Sequence, residues 1–352
     1  MTTEKKLPFI SILLPAYNEE LIIEKSVGII VDYLESKKDK YLWEILIIND
    51  GSKDKTGIFA DALAVSHKNV RVIHHTVNLN LGRALQTGFK NANGDIIVVL
   101  DIDLSYSEDH IEKLVDTQIT TEADIVIASP YMKKGKVTGV PFVRALLSRT
   151  VNRFMRFAAQ EKFSTFTGMV RAYRAGFIKK LNLKTKDFEI NPEILYKAMI
   201  LRARIVEIPA HLDWTYQNSA GKKRTSSMRI LSTFYSGLMA GFIFRPYIFF
   251  LGFGFLLLLI SIYVIGWIFI NIFQIYPTVP LVAGYFDERF SKAVGLVFQQ
   301  RPHAFFIGGI TLMLAIQVLS LGFLSLQSKR YFEEMFHINS SILKATDFGD
   351  RK

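Results

Sequence analysis

Asp101 and Asp103 stand two residues apart, directly behind the five-residue apolar run Ile96-Ile97-Val98-Val99-Leu100. Four of those five residues are β-branched, so the run reads as a strand buried on both faces of a parallel sheet. In an open α/β sheet, ligands bind beyond the carboxyl ends of the strands, which is where the pair falls. Residues i and i+2 of an extended segment point the same way, so the two carboxylates can converge on one spot. Close carboxylates repel each other, and a hard divalent cation relieves that repulsion. A polar strand end running into a turn would carry the same residues, so the pair alone leaves both readings open.

The elements around the pair supply a frame for it. Phe9 to Leu14 is a short apolar run stopped by Pro15, followed by similar runs from Trp43 to Ile48 and Val70 to His74. Helical patterns separate them. One opens at Asn18, read as an N-cap, and extends to Leu34. The next follows the Asn49-Asp50-Gly51-Ser52 turn, with Asp54 and Thr56, and ends near Ser66. A third grows out of Asn78-Leu79-Asn80-Leu81-Gly82-Arg83 and ends near Asn91.

Beyond the Asp pair, Asp124 to Ser129 reads as a fifth strand and Lys133-Lys134-Gly135-Lys136 as a basic loop. Val140 to Ala159 is an amphipathic helix carrying Arg144, Arg149, Arg153 and Arg156. Thr165 to Tyr173 and Ile205 to Ile208 read as strands, with a helix from Pro192 to Arg202 between them. Strands alternating with helices predict a parallel α/β sheet whose strand-end loops gather on one edge.

The totals narrow the chemistry. The 352 residues contain no cysteine, which excludes disulfides, thiolate nucleophiles and zinc–cysteine sites. A formal charge of +11 suits an anionic partner: a nucleic acid, a phosphorylated substrate or an anionic membrane surface. Mean hydropathy is +0.23, with the apolar excess concentrated at one end. Residues 247–273 and 304–327 carry no charge, and each stretch is long enough to cross a bilayer. Lys222, Lys223, Arg224, Arg229 and Arg245 precede the first stretch, and Lys329 and Arg330 follow the second. That bias predicts two spans with both termini in the cytoplasm. Met1 to Lys6 leads straight into a strand, so no signal peptide is expected at the front. Leu231 to Phe244 reads as a helix lying in the membrane interface. Phosphate-loop and Gly-x-Gly-x-x-Gly fingerprints are both absent.

Leu14-Pro15-Ala16-Tyr17-Asn18-Glu19, Asn49-Asp50-Gly51-Ser52, Asn78 through Ala84, and Gly94-Asp95 leading to Asp101-Ile102-Asp103 form one pattern. Together they resemble the family 2 glycosyltransferases of GT-A fold, over residues 1–225. Thr167-Gly168-Met169-Val170-Arg171-Ala172-Tyr173-Arg174 and Phe188-Glu189-Ile190 are similar to the polyprenyl-phosphate branch, which includes dolichyl-phosphate mannose synthases and undecaprenyl-phosphate glucosyltransferases. No Gln-x-x-Arg-Trp motif of processive synthases is present.

The resemblance implies an α/β GT-A domain over 1–225, an interfacial segment over 226–246, a transmembrane hairpin over 247–328 and a cytosolic tail over 329–352. It implies that Pro15, Tyr17, Glu19 and Asp50, with Lys222 and Arg224, bind the nucleotide sugar. Asp101 and Asp103 would hold Mg2+ or Mn2+ against the donor diphosphate, and Arg149 and Glu189 would join them in catalysis. Arg144, Arg149, Lys133 and Lys134 would meet the acceptor phosphate. The partners implied are a nucleotide diphosphate sugar (GDP-mannose or UDP-glucose type), a polyprenyl phosphate and the membrane, with no nucleic acid; a homo-oligomer is compatible.

Three positions depart from the family pattern. Asn49 stands where many members have Asp, which leaves the nucleobase open. Ser105 stands where a Gln often makes a third metal contact, so Ser105 or water would complete the shell. Ala128-Ser129-Pro130-Tyr131 replaces a common Gly-Ser-Arg-Tyr, with Lys133, Lys134 or Arg144 as substitutes for the lost arginine.

A lipid phosphate is already anionic near neutral pH, so its attack on the anomeric carbon requires no strong general base. The need is instead to bring two anionic groups into line, which suits arginine forks and a divalent cation. Direct displacement would invert the anomeric centre. Two rivals stay open: transfer to another lipid acceptor, which would need a base, and a non-catalytic membrane assembly subunit built on a degenerate transferase domain.

Overall fold

The computed structural model describes residues 7–159, 163–215, 246–280 and 286–349. The chain forms two compact units, Met1–Gly241 and Phe242–Lys352.

In the first unit, the apolar runs read above become β1 (Phe9–Ala16), β2 (Leu42–Asn49), β3 (Val70–His74), β4 (Ile96–Val99), β5 (Ile125–Ser129) and β8 (Ile205–Pro209). With β7 (Arg171–Arg174) they form a seven-stranded sheet in the order β3-β2-β1-β4-β7-β5-β8. Helices α1 (Ile23–Glu35), α2 (Thr56–Ser66), α3 (Leu81–Asn91), α4 (Asp109–Thr121), α5 (Phe142–Ala159), α6 (Ala175–Ile178) and α7 (Ile190–Ile200) complete the unit, with a small sheet of β6 (Lys136–Thr138) and β9 (His211–Asp213).

Strand alternation sorts the core into two layers. Ile10, Ile12 and Leu14 face Ile23, Val27 and Ile30 of α1 and Ile111, Leu114 and Val115 of α4. Leu13, Leu46, Ile97 and Val99 face Leu85 and Phe89 of α3, Met155 of α5 and Ile194 of α7. Each such aliphatic side chain, fully buried, contributes about 1.5–3 kcal/mol. Gly88 of α3 lies so close to β1 that a Cβ there would come within 2.2 Å of Leu13, which brings helix and strand together. At the amino ends of the strands, Glu44 clips three of them. It accepts from Ser11 Oγ at 2.6 Å, Asn93 N at 2.6 Å and the Arg71 guanidinium at 2.8 Å.

Several elements differ from the expectation. The sheet is mixed, because β7 runs antiparallel to both β4 and β5. Apolar patterning marks a strand but not its direction, and here the chain re-enters between two parallel neighbours from the opposite end. The run Thr165 to Tyr173 is strand only from Arg171, since its first half is a loop tied down by side chains. Asn18 does not cap α1. It adopts φ +56°, its Oδ1 accepts from Lys53 N at 2.8 Å, and the helix proper starts at Ile23. α4, β6 and β9 were not expected.

In the second unit, α8 (Pro246–Ile275) and α10 (Pro302–Gly349) form a hairpin. Pro246–Thr278 and Pro302–Met335 are long and apolar enough to cross a membrane, each holding an 18-residue stretch of mean hydropathy 2.8 and 2.1 respectively. The protein is thus a membrane protein with two apolar C-terminal helices. The helices pack closely at small residues: a Cβ on Gly322 would lie 2.8 Å from Leu251, and Ser261 Oγ donates to Gly308 O at 3.1 Å. α10 continues unbroken past residue 327 to Gly349. Residues 274–303, with no element expected, contain α9 (Phe286–Gln300), whose Ala293 and Val297 pack on Ile268 and Ile272 of α8.

Candidate active site

The carboxyl ends of β1 and β2 open into two loops that are sewn together by side-chain hydrogen bonds to backbone. Ser52 Oγ accepts from Asn18 N at 3.0 Å, and Thr56 Oγ1 accepts from Glu19 N at 2.7 Å. Asp54 accepts from Glu20 N at 3.2 Å, and Glu20 accepts from Lys55 N at 2.9 Å. Ser, Thr, Asn and Asp at these positions therefore satisfy backbone groups that a strand-end loop would otherwise leave unpaired. Of the residues expected to bind nucleotide, Glu19 is buried, Pro15 is half-buried and Tyr17 is exposed. The interfacial helix expected over Leu231 to Phe244, and with it Lys222 and Arg224, lies outside the described residues.

Asp50 is 4% exposed and sits at the centre of this edge. Its Oδ1 accepts from His75 Nδ1 at 2.7 Å and from Leu79 N at 2.9 Å. Gly51 follows at φ +65°, where a Cβ would lie 2.3 Å from the Val77 carbonyl carbon. Only glycine lets the β2 loop lie against residues 77 and 78. Asn49 points away from this arrangement: its amide contacts His74 Nδ1 at 2.9 Å and accepts from Ser52 N at 3.2 Å.

Asp101 and Asp103 do converge, but not by strand alternation. β4 ends at Val99, and Leu104 N donates to Asp101 O at 3.1 Å, so the pair lies in a turn with Leu104 at φ +51°. Buried Ser105 joins them: its N donates to Asp103 Oδ1 at 2.9 Å and its Oγ to Asp101 Oδ2 at 3.5 Å. Its carbonyl in turn accepts from Asp213 N of β9 at 2.8 Å. Burial, followed by the charge of Asp101, pushes the Tyr106 hydroxyl well above its ordinary pKa, so it stays neutral. His110 beside it is held below its usual value by burial, and its Nε2 accepts from His211 N at 3.2 Å. Among the described residues no group of three or more acidic or histidine side chains is arranged to hold a metal. The donor set is two carboxylates around a hydroxyl. That set fits Mg2+ or Mn2+, which take one or two protein carboxylates and share the remaining positions with substrate phosphates and water.

The expected acceptor residues surround the carboxyl end of β5. Arg144 and Arg149 project from α5 onto aromatic rings, Arg144 at 4.4 Å from the centre of Trp214 and Arg149 at 5.9 Å from that of Tyr131. Lys133 and Lys134 are exposed in a tight turn, where a Cβ on Gly135 would meet the Pro130 carbonyl at 2.6 Å. α5 carries no acidic residue and exposes Phe142, Val143 and Leu146. Glu189 immediately precedes α7, and among the described residues its carboxylate has no lysine partner.

Residues 163–168 form a loop, where a strand is expected from Thr165 onward. Asn152 Oδ1 of α5 accepts from Phe166 N at 2.7 Å, and Glu207 of β8 accepts from Ser164 N and Thr165 N at 2.9 Å. Arg171, fully buried, donates to Phe166 O at 2.7 Å and Asn191 O at 3.1 Å. His75, Asn152 and Glu207 lie in no motif, and Arg171, within the Thr167–Arg174 stretch, carries no role that its motif assigns. A buried Arg within a strand was the one available signal, since arginine is rarely buried without fixed acceptors.

The pattern described as Glycosyl transferase family 2 matches residues 11–181. The chain is similar to dolichol-phosphate mannosyltransferase of Pyrococcus furiosus, at 32% identity over 203 residues, covering 57% of this chain and 55% of that one. It is similar to glycosyltransferase AglD of Haloferax volcanii, at 30% identity over 58% of this chain and 33% of that one. It thus spans about half or less of the length of these two relatives. Polyprenol monophosphomannose synthase of Mycolicibacterium smegmatis is 30% identical over 56% of this chain and 75% of its own. With the family pattern over residues 11–181 and a relative matched over three quarters of its length, the chain belongs to glycosyl transferase family 2.

Proposed function

We propose that the protein transfers a sugar from a nucleotide diphosphate sugar to a polyprenyl phosphate, with inversion, at the cytoplasmic face of a membrane. The observation that carries the reading is the Asp101/Asp103 pair gathered on buried Ser105 in the turn that follows β4. The names of the Pyrococcus and Mycolicibacterium relatives support the lipid-phosphate acceptor.

Asp101 and Asp103 hold Mg2+ or Mn2+, which when bound offsets charge on the departing nucleotide diphosphate. Asp50, with Pro15, Tyr17 and Glu19, seats the nucleoside, and Lys222 and Arg224 meet its phosphates. Arg149, with Lys133, Lys134 and Arg144, draws the acceptor phosphate toward the anomeric carbon, and Glu189 contacts the sugar. No side chain need remove a proton from an acceptor that is already anionic. The GT-A domain of residues 1–225, the interfacial segment and both termini lie on the cytoplasmic side, as the lysines and arginines flanking the spans favour.

The test uses the full chain purified in detergent with Mn2+ and polyprenyl phosphate, supplied with a panel of UDP- and GDP-sugars. Glycolipid formation should depend on the lipid phosphate and fall about 10²- to 10³-fold in Asp103→Ala, the loss expected when one charge-stabilising partner is removed. Nucleotide release that ignores the lipid phosphate would move the acceptor elsewhere. Absence of turnover with every donor would point to a non-catalytic subunit.

A further inference from the structure

We infer that His75 is a positioning residue for donor recognition: it orients Asp50 so that one carboxylate oxygen is left to receive a hydrogen bond from the nucleobase. This rests on the reading of the sheet edge as a nucleotide-sugar site.

Both side chains are nearly sealed, with 9% of the His75 side chain and 6% of the Asp50 side chain exposed. A carboxylate has only lone pairs to offer, so the 2.7 Å contact requires the proton to sit on His75 Nδ1. The other ring nitrogen, Nε2, lies 2.9 Å from Thr87 Oγ1 on α3, which holds the ring plane. The His75 backbone is fixed as well, its N–H donating to Asn49 O at 2.9 Å. Two donors, His75 Nδ1 and Leu79 N, thus converge on the same oxygen, Oδ1.

The second oxygen, Oδ2, receives no hydrogen bond from any described residue, yet it is not among the buried orphan atoms and so retains access to solvent. An anionic acceptor held still in a nearly buried side chain is a costly arrangement unless a donor completes it. A ligand edge that offers an N–H suits it, such as the ring N–H of a uracil or guanine base. Cytosine presents an unprotonated ring nitrogen at the corresponding position and would place lone pair against lone pair.

Asn in place of His75 would carry an amide nitrogen near the position of Nδ1 and keep the donor, whereas Leu would fill similar space without one. Binding of UDP, GDP and CDP, each with Mn2+, is measured on the full chain in detergent for wild type, His75→Asn and His75→Leu. Inorganic pyrophosphate with Mn2+ is titrated in parallel, because it reports on Asp101 and Asp103 without a base. The expected result is that UDP or GDP binds the wild type more tightly than CDP. His75→Leu weakens that binding about tenfold, the scale of one hydrogen bond to a charged group. His75→Asn restores most of it, and pyrophosphate binding stays level throughout.

Equal losses for pyrophosphate and nucleotide would mean that His75 only supports the fold, and would overturn the inference. So would unchanged nucleotide binding in His75→Leu, with the donor site itself still standing. A wild type that binds none of the three nucleotides would remove the donor site and His75's role together.

Discussion

The two halves of the sheet edge are built on different principles. On the β1–β2 side, polar side chains are spent on backbone: Ser52, Asp54, Thr56 and Asn18 each fix a neighbouring loop, and Asp50 is clamped by two donors. On the β5–α5 side, the charged groups stay exposed or lie across aromatic faces, as Arg149 does over Tyr131 and Arg144 over Trp214. The first half is preorganised and has little left to rearrange when a ligand arrives. The second keeps long cationic side chains that can follow a phosphate headgroup attached to a mobile lipid. Under the proposed function, a small, chemically defined donor and a bulky membrane-borne acceptor call for these two kinds of site.

Substitutions should separate the halves. The largest effect is expected from Gly51→Ala, which combines a left-handed backbone with a Cβ placed 2.3 Å from the Val77 carbonyl carbon. It should destabilise the catalytic unit by about 2 kcal/mol or more and abolish nucleotide binding, read by thermal unfolding and titration of UDP and GDP. Retention of nucleotide affinity would show that the donor half is less rigid than its hydrogen bonds imply.

Arg149→Ala should leave unfolding unchanged, because the side chain is exposed, while raising KM for polyprenyl phosphate about tenfold through loss of one charge-assisted contact. Steady-state kinetics at saturating donor separates the two parameters. A matching rise in KM for the donor would erase the division between halves.

The smallest effect is expected at the far end of the sheet, where Glu44 serves as a control for both halves. Burial by itself would raise its carboxyl, but the hydrogen bonds from Ser11, Asn93 and Arg71 outweigh it and hold the pKa below the ordinary value. A depressed carboxylate contributes stability above its unfolded pKa of about 4.3 and loses it as pH falls through the folded value. Glu44→Gln should therefore lower stability by about 1 kcal/mol at pH 7, with the gap to wild type closing as the pH falls below 4.3, and should leave both KM values unchanged. A gap that is constant with pH would mean that ionised Glu44 contributes nothing beyond its shape.

Much of this molecule was legible as a string of residues. Runs such as Ile96 to Val99, and helices with apolar residues at Ile23, Val27, Ile30 and Leu34, follow from local periodicity, which depends only on neighbours in sequence. The two spans followed from length and the absence of charge, and the Asp50 and Asp101/Asp103 positions from motifs with fixed spacing. What was not legible depends on partners far along the chain. The antiparallel entry of β7 is decided by how the segment between β5 and β7 packs, and no pattern within Arg171–Arg174 records it. Asp101 and Asp103 were expected to meet through strand geometry, but a turn closed on Ser105 brings them together, and that turn is braced by Asp213, more than a hundred residues later. His75 could not be told from any polar residue at a strand end until folding placed Asp50 on one side of its ring and Thr87 on the other. The sequence by itself determined most strands and helices of the sheet unit, the two apolar spans and the positions of the motif residues, because local propensity and motif spacing are short-range properties. Only the tertiary structure decided how those residues are held, because a side chain's hydrogen-bond partners are chosen by proximity in space.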